Sequence, residues 1–151
     1  MNPLFFQLFS IWHTFRTHGA ANFRPMSSRK IVIYAPRRSE ATLIAAILHG
    51  LHARIVCCST AEQVIASCRQ EQADVLIVTT VTPFLDGSEF LSQVRRKGEQ
   101  MPAIYVISWQ QSEQIVLSLL ECGVDQYLTF PICMNRLRMK AQAQLNDLAQ
   151  R

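Results

Sequence analysis

Oxygens and guanidiniums beside apolar runs are the chemistry-bearing features of this chain. "ADVLIVTTVTPFLDG" ends its apolar run on Thr79 and Thr80, then turns through Pro83 and Gly87. "AIYVIS" ends on Ser108, and "KIVIYA" is followed by Pro36, Arg37 and Arg38. Three hydroxyls, two guanidiniums and the N–H groups of a helix start would suit an anion. Two solvated arginines on a loop are the plainer reading of Arg37 and Arg38, and the favoured one, because such a pair is a weak motif. The run at 74–79 closes on hydroxyls and not on a carboxylate. A threonine hydroxyl is a poor nucleophile without an adjacent base, and no histidine lies near these run ends. The five cysteines are odd in number, Cys57 and Cys58 are adjacent, and no C-x-x-C occurs. That pattern argues against a disulfide framework or a zinc site and for reduced, buried thiols.

The elements that must position these residues alternate regularly. Strands are expected at 30–35, 53–58, 74–79, 103–108 and 125–130. Helices are expected at 39–51, 60–70, in "GSEFLSQVRRKG", at 111–122, and from about Ile132 onward. The first helix shows helical spacing through Leu43, Ile44, Ile47, Leu48 and Leu51. Ser59 with Glu62 reads as a capping box, and Asp86 with Glu89 as a second. Gly123 reads as the C′ residue of helix 111–122. Short strands that are apolar on both faces, each followed by a helix, imply a parallel sheet covered on both sides. Right-handed crossovers then give a doubly wound five-stranded α/β fold, with flavodoxin-like order 2-1-3-4-5. Such folds place their chemistry at the carboxyl ends of the strands. The segments after Ala35, Thr79, Ser108 and Phe130 are therefore the ones to read.

Over residues 29 to about 150 the chain resembles the receiver domain of bacterial response regulators. "ADVLIVTTVTPFLDGSEFLSQVR" is similar to the family's third strand, proline-containing loop and third helix, with Pro83, Asp86 and Gly87 in place. "GVDQYLTFP" is similar to its fifth strand and the following proline. The resemblance implies a phosphoacceptor carboxylate at Thr79, paired magnesium-binding acids at Ala35 and Pro36, a lysine at Phe130 and a hydroxyl at Ser108. Of these groups the chain keeps the hydroxyl alone. Ser108 and Phe130 stand 22 residues apart, which suits the family; a register one residue earlier would put Ile107 at the hydroxyl position. A magnesium site needs oxygen ligands, which Ala35 does not offer. Phe130 puts an apolar ring where the resemblance implies a cation, and Trp109 has the bulk to close the pocket mouth. The expectation is a degenerate, packed pocket with no metal, no cofactor and no catalytic residue. The resemblance also implies a partner or dimer face built from helix 111–122, strand 5 and the final helix, with Tyr127, Arg136 and Arg138 on it.

The chain has 151 residues, 49% hydrophobic and 17% charged, which suits one domain with a normal core. The formal charge is +4. Arg16 and Arg24 lie in residues 1–28, which hold no acid, leaving 13 basic against 11 acidic residues in the remainder. That balance argues against nucleic acid as a partner. Residues 1–28 read as an extension and linker before a receiver-like domain at 29–151. Leu4, Leu8, Ile11 and Phe15 form a helical stripe widened by Phe5, Phe9 and Trp12. Docking on a partner or a second copy is one reading of this stripe. Another is that Met26 is the true start, "MSSRKIVIYA" being how a compact receiver would begin. Membrane contact through residues 4–15 is less favoured, because Lys and Arg are scarce on the polar side. The function expected is a cytoplasmic, phosphorylation-independent signalling module, not an enzyme, that binds a kinase, a response regulator or a transcription factor. The alternatives are an atypical phosphoacceptor and a small-molecule or anion sensor.

Overall fold

The computed structural model describes residues 29–86, 89–95, 100–110 and 112–150; the reading of residues 1–28 lies outside them. The elements run β1 (Lys30–Tyr34), α1 (Arg38–Leu48), β2 (Arg54–Cys58), α2 (Ala61–Gln70), β3 (Val75–Val78), α3 (Thr82–Leu85), α4 (Phe90–Val94), β4 (Ala103–Ser108), α5 (Glu113–Glu121), β5 (Gln126–Thr129) and α6 (Met134–Gln150). The strands form one parallel sheet in the order β2-β1-β3-β4-β5, the order expected from the alternation.

Alternate strand residues face opposite sides, so each central strand feeds two cores. Ile31, Ile33, Val75, Ile77, Tyr105 and Ile107 pack with Ile44 and Ile47 of α1 and Leu137, Ala141 and Leu145 of α6. Val32, Leu76, Val78, Ile104 and Val106 pack with Val64 of α2, Phe84 of α3, Phe90 and Val94 of α4, and Leu119 of α5. β1, β3 and β4 are buried along their whole length, whereas the edge strands β2 and β5 are partly exposed.

The helix ends show where local chemistry was read one step off. Thr60, not Ser59, caps α2: its Oγ1 accepts from the Gln63 N–H at 3.3 Å, and Gln63 Oε1 returns to the Ser59 N–H at 2.8 Å. Asp86 and Glu89 do not form a capping box. Asp86 ends α3, and Glu89 opens α4 without a side-chain cap bond. Within the expected helix "GSEFLSQVRRKG" the described helical residues are Phe90–Val94, and the short α3 before it lies in the proline-containing loop, where no helix was expected. Gly123 holds φ +103°, and the Val124 N–H returns to the Leu119 carbonyl, as a C′ glycine should. The thiols are all free. Cys58 and Cys68 are buried, but Cys57, Cys122 and Cys133 are exposed, which corrects the buried expectation for those three. Burial holds the Cys68 thiol up to about 11, with the Lys30 charge opposing it.

The amino-terminal end of the sheet is ionic. Asp74 accepts from the Lys30 backbone N–H at 2.7 Å and pairs with the Arg29 guanidinium at 3.3 Å. The buried Lys30 ammonium reaches the Ser67 and Glu71 carbonyls at the end of α2, at 2.7 and 3.3 Å. Cations belong there, at the negative end of a helix dipole.

Tyr105 joins β4 to α6 through its hydroxyl, which donates to the Lys140 carbonyl at 3.1 Å. Burial, helped by the Asp125 charge, pushes its phenol up to about 12 from 10.0. A phenol raised in the fold stays neutral while the unfolded chain ionises. Its contribution is therefore complete below pH 10 and lost as pH rises toward about 12. Urea unfolding below pH 10 and near pH 12 should show a larger loss of stability for the wild type than for Tyr105→Phe. Equal losses would mean that Tyr105 titrates like a free tyrosine.

Candidate functional site

The backbone ladder brings four sequence-read residues to one level at the carboxyl end of the sheet. The Ala35 N–H donates to the Cys58 carbonyl, the Thr79 N–H to the Tyr34 carbonyl, and the Phe130 N–H to the Ser108 carbonyl, each at 3.0 Å. Ala35, Thr79 and Phe130 are therefore the first residues past β1, β3 and β5, and Ser108 is the last of β4.

Their side chains are apolar or carry neutral hydroxyls. Ala35 is buried and presents a methyl group, and Pro36 beside it is exposed. The Thr79 Oγ1 is closed off from solvent and has no hydrogen-bond partner among the described residues. Ser108 is buried, and its Oγ accepts from the Gln110 N–H at 3.1 Å. Phe130 is buried, and the Trp109 indole stacks on it with centroids 5.0 Å apart and planes 20° apart. Trp109 remains 63% exposed, so the indole covers Phe130 and otherwise meets water. Tyr127 does not carry its hydroxyl free at the surface, because that group donates to the Gln110 carbonyl.

Arg37 and Arg38 are exposed. The Arg37 side chain is 75% exposed and lies 3.9 Å from Glu40, so the solvated reading describes it. Arg136 and Arg138 part company. Arg138 Nη1 donates to the Ile47 and His49 carbonyls at 2.8 and 2.7 Å, closing the end of α1. It therefore does not join the β5 face, and the expectation that paired it there with Arg136 is corrected. Arg136 is exposed and lies one turn before Lys140, whose ammonium reaches Gln126 of β5 at 2.7 Å. Arg136 thus stays on the β5 flank.

Leu117 and Leu120 of α5, 53% and 44% exposed, were not singled out in the sequence. The signal was present: "EQIVLSLLE" carries more large apolar residues than one buried stripe can use.

Residues 37–142 match the response regulator receiver domain family. The chain belongs to that family. It is thereby a receiver domain of the two-component signalling type. The alkaline phosphatase synthesis transcriptional regulatory protein PhoP of Bacillus subtilis is 25% identical over 116 residues, 77% of this chain and 48% of its own length. The response regulator MprA of Mycobacterium leprae is 30% identical over 76 residues, 50% of this chain and 33% of its own length. The chain thus spans about half or less of the length of these curated relatives. Among solved structures, a CheY-like receiver domain protein from Methanospirillum hungatei superposes with TM-score 0.66 at 18% identity, covering 82% of this chain and 98% of its own. The receiver domain of sensor histidine kinase PA1611 from Pseudomonas aeruginosa, which has a magnesium ion coordinated in its active site cleft, gives 0.64 at 19% identity, covering 79% and 98%. Both likenesses are to the fold.

The residues of this receiver do not fit a magnesium ion. Magnesium demands hard oxygen ligands in octahedral array, usually with one or two carboxylates. Here the strand ends offer a methyl group, a proline ring and a neutral hydroxyl, and no group of three His, Cys, Asp or Glu among the described residues could hold a metal. A buried hydroxyl without a partner costs stability, whereas a methyl of the same shape does not. Thr79→Val should therefore raise unfolding stability in urea by about 1 kcal/mol. A loss of similar size would show that the hydroxyl is engaged after all.

Proposed function

We propose that this receiver works as a phosphorylation-independent module that acts by binding a protein partner and not by catalysis. The observation that carries the proposal is the Trp109–Phe130 stack over a strand end that lacks carboxylates. Phosphoryl transfer proceeds by positioning and by charge stabilisation from metal and cationic groups. A stacked aromatic pair and the Ala35 methyl supply neither. The partner is a signalling kinase, a response regulator, a transcription factor or a second copy. The cytoplasm is the proposed place of action, and residues 1–28 are proposed as an accessory segment outside the receiver proper. No helix among the described residues is long and apolar enough to cross a membrane.

The surface proposed for binding comprises α5, β5 and the flank of α6 that bears Arg136. The Cys122 Sγ lies 3.8 Å from the Phe84 carbonyl and so fixes which side of α5 meets α3. Leu120 projects from the flank away from that contact, and Leu117 from the solvent side. Exposed leucines, a half-buried tyrosine and a rim arginine are the composition of a modest protein interface.

Incubation with acetyl phosphate and magnesium should leave the intact mass unchanged. Thr79→Asp should also remain unmodified, because burial at that level raises a carboxyl pKa and no metal ligand accompanies it. A phosphoryl adduct on the wild type, lost at alkaline pH, would overturn the reading in favour of an atypical phosphoacceptor.

The face has its own test. Arg136→Glu and Leu117→Asp should each weaken association, read by light scattering for self-association and by pull-down from native lysate for other partners. Arg138→Ala should lower thermal stability without sharing that effect, since its guanidinium serves α1. Association that survives both face changes would reject this surface.

A further inference from the structure

The connection from β4 to α5 begins with Trp109 and Gln110, and β5 holds both. Tyr127 lies in β5 and Phe130 is the first residue past it, three positions on, so their side chains leave opposite faces of the sheet. Phe130 belongs to the core shared with α1 and α6, and Tyr127 packs against the core shared with α2 to α5. Trp109 stacks on the first, and the Gln110 carbonyl accepts from the second. The Gln110 N–H returns to the buried Ser108 Oγ at 3.1 Å, which uses both polar groups of that backbone residue. We infer that Trp109 is a positioning residue: with Tyr127 it clamps the start of the β4–α5 connection from both faces of the sheet and sets α5 against β5.

Three features give the clamp its force. The indole is 63% exposed, so without Phe130 it would have little to hold it. Phe130 is itself fixed, being buried and bonded through its N–H to Ser108. α5 starts at Glu113, four residues after Trp109, and carries Leu117 and Leu120 within its next two turns. Trp109 thus stands close in the chain to the surface those leucines present. The clamp replaces a bound group with a permanent aromatic contact, so the face is held in one arrangement without a phosphoryl signal. Its regulatory meaning rests on the proposed binding face; the clamp itself rests on the contacts alone.

Hydrogen exchange on the full chain tests it. An aromatic stack of this kind holds an opening equilibrium by up to about tenfold. Trp109→Ala should therefore speed exchange of the α5 amides from Val116 to Leu120 by about that factor, with α1 and α2 unchanged. Trp109→Phe should retain most of the protection. Tyr127→Phe, which removes one oxygen and no packing, should also speed α5. The double variant should fall short of the product of the singles, because both contacts hold one loop. Unchanged α5 exchange in folded Trp109→Ala or in Tyr127→Phe sinks the clamp, as does an equal rise in α1 and α2. Raised α5 exchange, together with association that ignores Arg136→Glu and Leu117→Asp, would leave the clamp standing and reject the face.

Discussion

The Asp74 carboxylate is the contact on which the sheet depends. It stands at the entry to β3 and takes the first N–H of β1, so it fixes the register of the two central strands. It also pairs with Arg29, which is otherwise a buried cation. Through β1 it is linked to the Lys30 ammonium, which closes the end of α2. Losing one member of such a buried set costs about 3–5 kcal/mol, because a charge is left without compensation. Strand register decides which residues stand level at the far end, so this contact sets the site at a distance.

The two ends of the sheet have opposite character. The amino-terminal end gathers Arg29, Lys30 and Asp74, and Asp125 there accepts from the Ile104 N–H at 2.7 Å. The carboxyl end, where this fold places its chemistry, presents Ala35, a Thr79 hydroxyl with no partner among the described residues, and a stacked aromatic pair. Buried charge is costly wherever it occurs and persists only where it is paired. Among the described residues it persists at the amino-terminal end of the sheet, in Arg29, Lys30 and Asp74. At the carboxyl end the Trp109–Phe130 stack is the packing that covers the exit of β5.

The strand end also touches the segment beyond it. Tyr127 of β5 and Phe130 just past it, on opposite faces of the sheet, both contact the residues that lead into α5. The packed strand end is therefore in contact with the segment that leads into α5.

The alternation of apolar β-branched runs with helical spacing was readable residue by residue, and the handedness of crossovers turned it into a strand order. The strand ends were also legible, because a parallel sheet makes Ala35, Thr79, Ser108 and Phe130 successive exits. Gly123 was legible because a positive φ at a helix end favours glycine. The choice between Ser59 and Thr60 as cap was not, since the two are adjacent and equally able, and the direction in which the chain leaves β2 decides it. Nor was the separate fate of Arg136 and Arg138. Two residues apart on a helix point about 200° apart, and only the wedging of α6 between α1 and β5 shows which side is which. The stack of Trp109 on Phe130 joins residues far apart in the chain through the pairing of β4 with β5. Local sequence determines which elements form and where they end; long-range register determines which side chains meet, because contact at that separation is a property of the assembled sheet.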